Sequence, residues 1–168
     1  MYIWHNFRKA SGFIVSEMVI KVDPDKIQII QNLLPPHIQK KVRGFFGRLN
    51  HISHFISQMT LKCDPIFKLL QKNDSRKWDE ECQVAFEKIK DYLSTPSILV
   101  LPILGKPLIL YLTIREKSMG CVLGQRDETG KKEHVIYYLS KKFTEYEAKY
   151  SLLEKICCAL AWTAQQLR

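Results

Sequence analysis

The chain has 168 residues, 46% of them hydrophobic and 26% charged, which is enough apolar content for one ordinary core or two small ones and excludes a disordered tract. Lys and Arg outnumber Asp and Glu 26 to 17, a formal +9 that suits a polyanionic partner. No apolar run approaches the ~18 residues a membrane span needs, and Met1 leads into Trp4, His5 and Arg8 rather than an apolar signal core, so the expectation is an intracellular protein, cytoplasmic or nuclear, with no membrane partner.

Residues 13–16 and 19–22 read as a hairpin-like pair of strands. Asp23 then caps a helix with Pro24 in its first position, where the missing N–H costs nothing, and Pro35-Pro36 ends it. The strongest helical pattern follows: Ile38, Val42, Phe45, Phe46, Leu49, Ile52, Phe55 and Ile56 recur at 3/4 spacing. Lys40, Arg43, Gly47, Arg48, Asn50, His51 and His54 occupy the opposite face, and Gly44 and Gly47 stand mid-helix. A glycine there costs about 0.5–1 kcal/mol relative to alanine and implies a packing or close-approach reason.

Residues 64–70 read as a short helix and the polar stretch 71–77 as a linker. The charge divides near this point: 13 basic and 5 acidic residues through Lys77, net +8, against 13 and 12 from Trp78 onward, net +1. Asp79 caps the next helix, with Glu80 and Glu81 in its first turn and Cys82, Ala85, Phe86, Ile89 and Leu93 as its apolar stripe, and Thr95-Pro96 stops it. Three strands follow at 107–113, 118–125 and 134–140, the last two joined by a turn at 127–130. Ser151 and Glu154 then form a capping box for a helix running to the last residue, with Leu153, Cys157, Leu160, Ala161, Ala164 and Leu167 expected inward. This helix meets no Gly or Pro before Arg168, which reads as a chain interrupted by its reading frame.

The five cysteines, Cys63, Cys82, Cys121, Cys157 and Cys158, are odd in number and form no CxxC, so they read as reduced thiols, with Cys157 and Cys158 in core packing. His51, His54 and Cys63 raise a zinc reading. The set is incomplete and its spacing fits no common finger, so no metal site is assigned.

Three anchors stand in order: Gly12-Phe-Ile-Val-Ser16 with Val22-Asp-Pro-Asp-Lys26; Val42-Arg-Gly-Phe-Phe-Gly-Arg-Leu-Asn50; and Trp78-Asp-Glu-Glu-Cys-Gln-x-Ala-Phe-Glu-Lys-Ile-Lys90. With Pro107-Leu-Ile-Leu-Tyr111, Met119-Gly-Cys-Val-Leu-Gly-Gln125, Ile136-Tyr-Tyr-Leu-Ser-Lys-Lys142 and Tyr150-Ser-Leu-Leu-Glu-Lys155, they resemble the polymerase-to-RNase-H stretch of plant gypsy-type LTR retrotransposon polyproteins. The resemblance implies an α+β chain: residues 1–22 as a remnant of the polymerase palm, 23–77 as a small helical thumb-like domain and linker, and 78–168 as the N-terminal half of an RNase-H-like α/β domain, a three-stranded antiparallel sheet plus helix. It also implies that the thumb helix lies along a template-primer duplex or RNA–DNA hybrid, touching sugars and phosphates without reading sequence, at Arg43, Gly47, Arg48, Asn50 and His51. The remainder of the polyprotein is the other partner.

The same resemblance bears on catalysis. Polymerase chemistry needs a Tyr-x-Asp-Asp turn, and no such sequence occurs here. RNase H chemistry needs clustered carboxylates to hold two divalent cations, so Mg2+ is expected for the parent enzyme. The positions matching the first two carboxylates carry Thr113 and Ile156, so no cofactor is expected in this fragment. The leading expectation is a non-catalytic, duplex-gripping connection between polymerase and nuclease. A surviving metal-dependent RNase H, and a relic or protein-interaction module, stand as alternatives.

Overall fold

A computed structural model describes residues 8–10, 12–16, 18–71 and 77–167. The first seven residues of the expected palm remnant, residues 72–76 of the expected linker, and Arg168 lie outside them. Strands β1 (Arg8–Ala10), β2 (Phe13–Val15) and β3 (Val19–Val22) form an antiparallel meander, and Gly12, at φ +91°, supplies the left-handed residue that turns β1 into β2. The fourth strand of this sheet, β4 (Leu99–Val100), comes from far along the chain and pairs Leu99 with Ile20. Nothing local in the sequence marks so short a strand.

Helix α1 (Pro24–Gln31) starts as expected, the Asp23 carboxylate accepting the Asp25 N–H at 3.2 Å. Helix α2 (Gln39–Asn50) is shorter than the apolar pattern suggests. The stripe continues through Ile52, Phe55 and Ile56, but the helix stops at Asn50 and a 3-10 turn takes over at Ser53–Phe55. Ser53 Oγ donates to Asn50 O at 2.8 Å, a local bond that competes with the last helical turn. The tighter turn still buries Ile52, Phe55 and Ile56. Two short helices follow, α3 (Met59–Lys62) and α4 (Asp64–Lys68), where one had been expected. Helix α5 (Glu80–Ser94) is capped by Asp79, which accepts the Cys82 N–H at 2.8 Å.

The core of α1 to α4 does not end at the expected linker. Cys82, Ala85, Phe86, Ile89 and Leu93 of α5 lie in one cluster with Val42, Phe45, Leu49, Phe55 and Ile66, and Phe45 meets Phe86 at 5.3 Å between ring centroids. The stripe that the sequence assigns to α5 is therefore correct, and its partner is the helical half.

The second sheet runs β5-β6-β7, all antiparallel: β5 (Ile109–Ile114), β6 (Ser118–Arg126) and β7 (Glu133–Lys142), with a bulge between Leu123 and Gly124. Gly130, at φ +69°, closes the β6–β7 turn. Val135 and Tyr138 of β7 pack against the large core, while Leu139 joins Met119, Cys121, Phe143 and Ala159 in a smaller one under α6 (Leu152–Gln166). The α+β architecture expected from the sequence, a helical part followed by a three-stranded antiparallel sheet plus helix, is the one observed.

Helix α6 has its capping box, Glu154 Oε2 accepting the Ser151 N–H at 2.7 Å and Ser151 Oγ accepting the Glu154 N–H at 3.3 Å. Its orientation corrects the sequence reading. Leu153 is 71% exposed and Leu160 45%, Cys157, Ala161, Ala164 and Leu167 are also exposed, and Lys155, Ala159 and Thr163 are the buried residues. Two features favour this rotation. Ala159 and Thr163 are small enough to bring the helix close to the sheet, and the Lys155 ammonium leaves the interior by donating to Glu116 O at 3.0 Å. Cys157 is exposed and Cys158 half-buried beside the Glu147 carboxylate at 3.3 Å, so neither is a core residue.

Candidate nucleic-acid interface

Helix α2 presents a polar face because Val42, Phe45 and Leu49 are drawn into the large core on the other side. At 100° per residue, Lys40, Arg43, Gly44, Gly47 and His51 fall within about 100° of arc, and Asn50 and Arg48 mark its two flanks. Arg43, Gly47, Arg48, Asn50 and His51 are all exposed. A Cβ added at Gly47 would meet no atom within 4 Å, and one at Gly44 would meet only the Arg48 guanidinium, at 3.4 Å. Neither glycine is explained by packing within the described residues. Arg48 Nη1 donates to Gly44 O at 3.3 Å, so its charge lies along the helix surface.

Two grooves flank the face. One, of about 580 Å³, lies between α2 and the α1–α2 connection and is lined by Lys40, Lys41, Gly44 and Arg48. The other, smaller, is where Asn50, Ser53 and His54 meet Tyr138 and Ser140 of β7 and Trp162 and Gln166 of α6. No Asp or Glu occurs between Asp25 and Asp64, a signal in the sequence that the charge count by halves only partly captures.

His54 departs from the polar face. Its ring stacks on Tyr137 at 4.3 Å and 23°, because the 3-10 turn rotates it off the helical register. Burial lowers its pKa, with a bond to the Tyr138 backbone opposing. His54 therefore helps tie the helical half to the second sheet. So do Thr60, whose N–H and Oγ1 both bond Ser140 Oγ at 3.2 and 3.0 Å, and Asp64, which accepts Lys142 Nζ at 2.9 Å. Burial works to raise the Asp64 pKa, but Lys142 and Lys68 outweigh it and hold the carboxylate below its ordinary value. Cys63 is fully buried, its thiol pushed up to about 12 by burial, and among the described residues it forms no metal-holding group of three with His51 and His54.

Thr113 and Ile156 lie on β5 and α6. Thr113 is exposed and opposite Gly120, and Ile156 is half-buried. Divalent cations need clustered oxygen donors, and this pair offers a hydroxyl and a hydrocarbon, which do not fit them. Of the nearby carboxylates, Glu154 is engaged in the capping box. Among the described residues, no group of three or more His, Cys, Asp or Glu side chains is placed to hold a metal ion.

The family model described as the RNase H-like domain found in reverse transcriptase matches residues 78–168, more than half of the chain. The chain belongs to this family. Over 94% of its length it is 28% identical to the retrovirus-related Pol polyprotein from transposon opus and 30% identical to that from transposon 412, both of Drosophila melanogaster. Over 90% it is 28% identical to the transposon Tf2-3 polyprotein of Schizosaccharomyces pombe. It spans 17%, 12% and 11% of those three relatives, and so corresponds to one stretch of a retrotransposon pol polyprotein. Its fold is similar to the foamy viral protease-reverse transcriptase solved with dsDNA, at TM-score 0.77 and 20% identity over 96% of this chain and 33% of that one. The same holds for the form solved with an RNA/DNA hybrid, at TM-score 0.77 and 21% identity over 95% and 22%. The RNase H-like family thus accounts for residues 78–168, and the fold likeness extends over the helical half that precedes it.

Proposed function

We propose that the chain is a stretch of a gypsy-type LTR retrotransposon polyprotein of the plant kind that grips a template-primer duplex or RNA–DNA hybrid and connects polymerase to nuclease without cleaving nucleic acid itself. Residues 1–22 are the end of the palm, 23–77 the thumb-like segment and linker, and 78–168 the connection. Arg43, Arg48, Asn50 and His51 meet sugars and phosphates, and Gly47 lets the α2 backbone come close to the duplex, independent of base sequence.

Gly47 carries the reading. An exposed mid-helix glycine with open space where its Cβ would stand has no use to the isolated fold, and a helix backbone that must approach a duplex gives it one. The acid-free run from Lys26 to Cys63 supports the same partner. Thr113 and Ile156, which do not fit metal ions, support a connecting role, with the Mg2+ expected for the parent enzyme held by other parts of it.

Fluorescence anisotropy with a labelled RNA–DNA hybrid tests this reading. Binding is expected to be insensitive to sequence and to weaken steeply with salt, as counterion release requires. Arg43→Ala and Arg48→Ala should each lower the log–log salt slope by about 1. Absence of binding at low salt overturns the grip, and cleavage of the hybrid in Mg2+ or Mn2+ overturns the non-catalytic role.

A further inference from the structure

Between α2 and the second sheet the chain turns a corner at residues 55–58, and Tyr92 of α5 holds it. The Tyr92 hydroxyl donates to Phe55 O at 3.2 Å, accepts the Ser57 N–H at 3.3 Å and pairs with Ser97 Oγ at 2.9 Å, so its one proton and two lone pairs are all in use. Lys62 Nζ lies 4.7 Å from the centre of the same ring and donates to Ser57 O and, at 3.0 Å, to Ser57 Oγ. The next residue, Gln58, stands at φ +50°, the one left-handed non-glycine residue among those described. Such a backbone persists where its surroundings over-determine it, and Tyr92 and Lys62 on one side and the Thr60–Ser140 bonds on the other do so. Short bonds carry the corner back to α2: the Ile56 N–H donates to Ser53 O at 3.1 Å, and Ser53 Oγ donates to Asn50 O at 2.8 Å.

We propose that Tyr92 is a positioning residue of the duplex grip: by fixing residues 55–57 it sets the C-terminal end of α2, where Asn50 and His51 stand, at hydrogen-bonding distance from the nucleic-acid backbone. The proposal rests on the reading of α2 as the grip. Asn50 and His51 are sensitive to such placement because a hydrogen bond weakens steeply with distance and angle. Arg43 stands two turns back on a long, flexible side chain and meets phosphate through charge, whose attraction falls off gradually. Tyr92 lies 35 residues from Ser57 in sequence and within the segment 78–168 that the RNase H-like family covers. That half of the chain therefore serves the grip by geometry, through a side chain that itself touches no nucleic acid.

Anisotropy with the labelled RNA–DNA hybrid, run on the full chain, tests this. Tyr92→Phe keeps the ring and removes the hydroxyl. It should leave far-UV circular dichroism unchanged and raise the dissociation constant about three- to tenfold. That factor should vanish when Asn50→Ala and His51→Ala are already present, since nothing remains to be placed, and appear in full beside Arg43→Ala. A merely structural role would cost the same in both backgrounds. Ser97→Ala, which strips one partner from the hydroxyl, should weaken binding about twofold with the same coupling, and it decides the matter if the tyrosine variant fails to fold. In the free protein, Tyr92→Phe should shift the Asn50 and His51 amide resonances and leave that of Arg43 in place. Wild-type affinity in the folded variants, an equal factor in both backgrounds, or Asn50 and His51 resonances that do not move overturns this proposal and leaves the grip standing. Absence of binding by the wild-type chain overturns the grip, and this proposal with it.

Discussion

Helices α2 and α6 are both amphipathic and both leave a long face to water, but the faces differ in character. α2 turns out Arg43, Gly47, Arg48 and His51, and α6 turns out Leu153, Leu160 and Leu167. The difference follows from what each packs against. The cluster that holds α2 contains eighteen buried apolar residues, and the one beneath α6 contains five. At about 25 cal/mol per Å² of buried apolar area, the first core carries most of the stability among the described residues. A helix seated in so large a core needs no further burial, and its wet face is free to carry charge and glycine. The small core beneath α6 buries only its short side chains and leaves its leucines exposed.

The largest expected effect tests whether the two cores are separate. Phe86→Ala removes a ring that meets Phe45 and Trp78 and should cost about 3–5 kcal/mol in urea unfolding. Met119→Ala in the small core should cost about 2–5 kcal/mol. Hydrogen exchange should show the first loss across the whole chain and the second confined to β5, β6, β7 and α6. If both variants release the same amides, the cores form one cooperative unit and the contrast fails.

The joint between the halves should respond to acid. His54 is held below its ordinary pKa of 6.5, so between the two values the unfolded chain binds more protons than the folded one. Its contribution is present above pH 6.5 and diminishes as pH falls below it. Wild type should lose more stability than His54→Leu between pH 7.5 and 5.5, by about 1 kcal/mol or less; equal losses would show that the stack on Tyr137 does not carry the joint.

Gly47→Ala should raise stability by about 0.5–1 kcal/mol, since the helix gains propensity and the added methyl meets nothing. The same change should weaken binding to the hybrid. A variant that is stabler and binds as well as wild type would remove the case for close approach.

The smallest effect lies at the foot of α6. Lys141 bonds Glu147 at 2.6 Å and, with the Thr144 N–H, holds that carboxylate at about 2 against an ordinary 4.5. Its stabilising contribution is present above pH 4.5 and is lost as pH falls towards 2. Glu147→Gln should flatten the acid limb of the stability curve, and an unchanged limb would mean that this pair leaves the α6 unit unaffected.

Much of the fold was legible in the sequence because the signals were local. Asp23, Asp79 and Ser151 act as caps through bonds to N–H groups two or three residues away. The β5, β6 and β7 strands fell within two residues of their observed ends. The candidate site was readable for a similar reason, since one helical period sets Arg43, Gly47 and Arg48 apart from the core face.

Local pattern alone thus determined the types of α1, α2, α5, α6, β2, β3 and β5 to β7, their caps and the basic face of α2. Tertiary structure decided the rest. It ended α2 at Asn50, turned His54 onto Tyr137, recruited Leu99–Val100 to a sheet some eighty residues away in sequence, and rolled α6 so that Ala159 met the sheet while its leucines faced out. The physical reason is common to all four. Periodicity reports which residues are apolar, but which of them are buried depends on what another part of the chain brings against them.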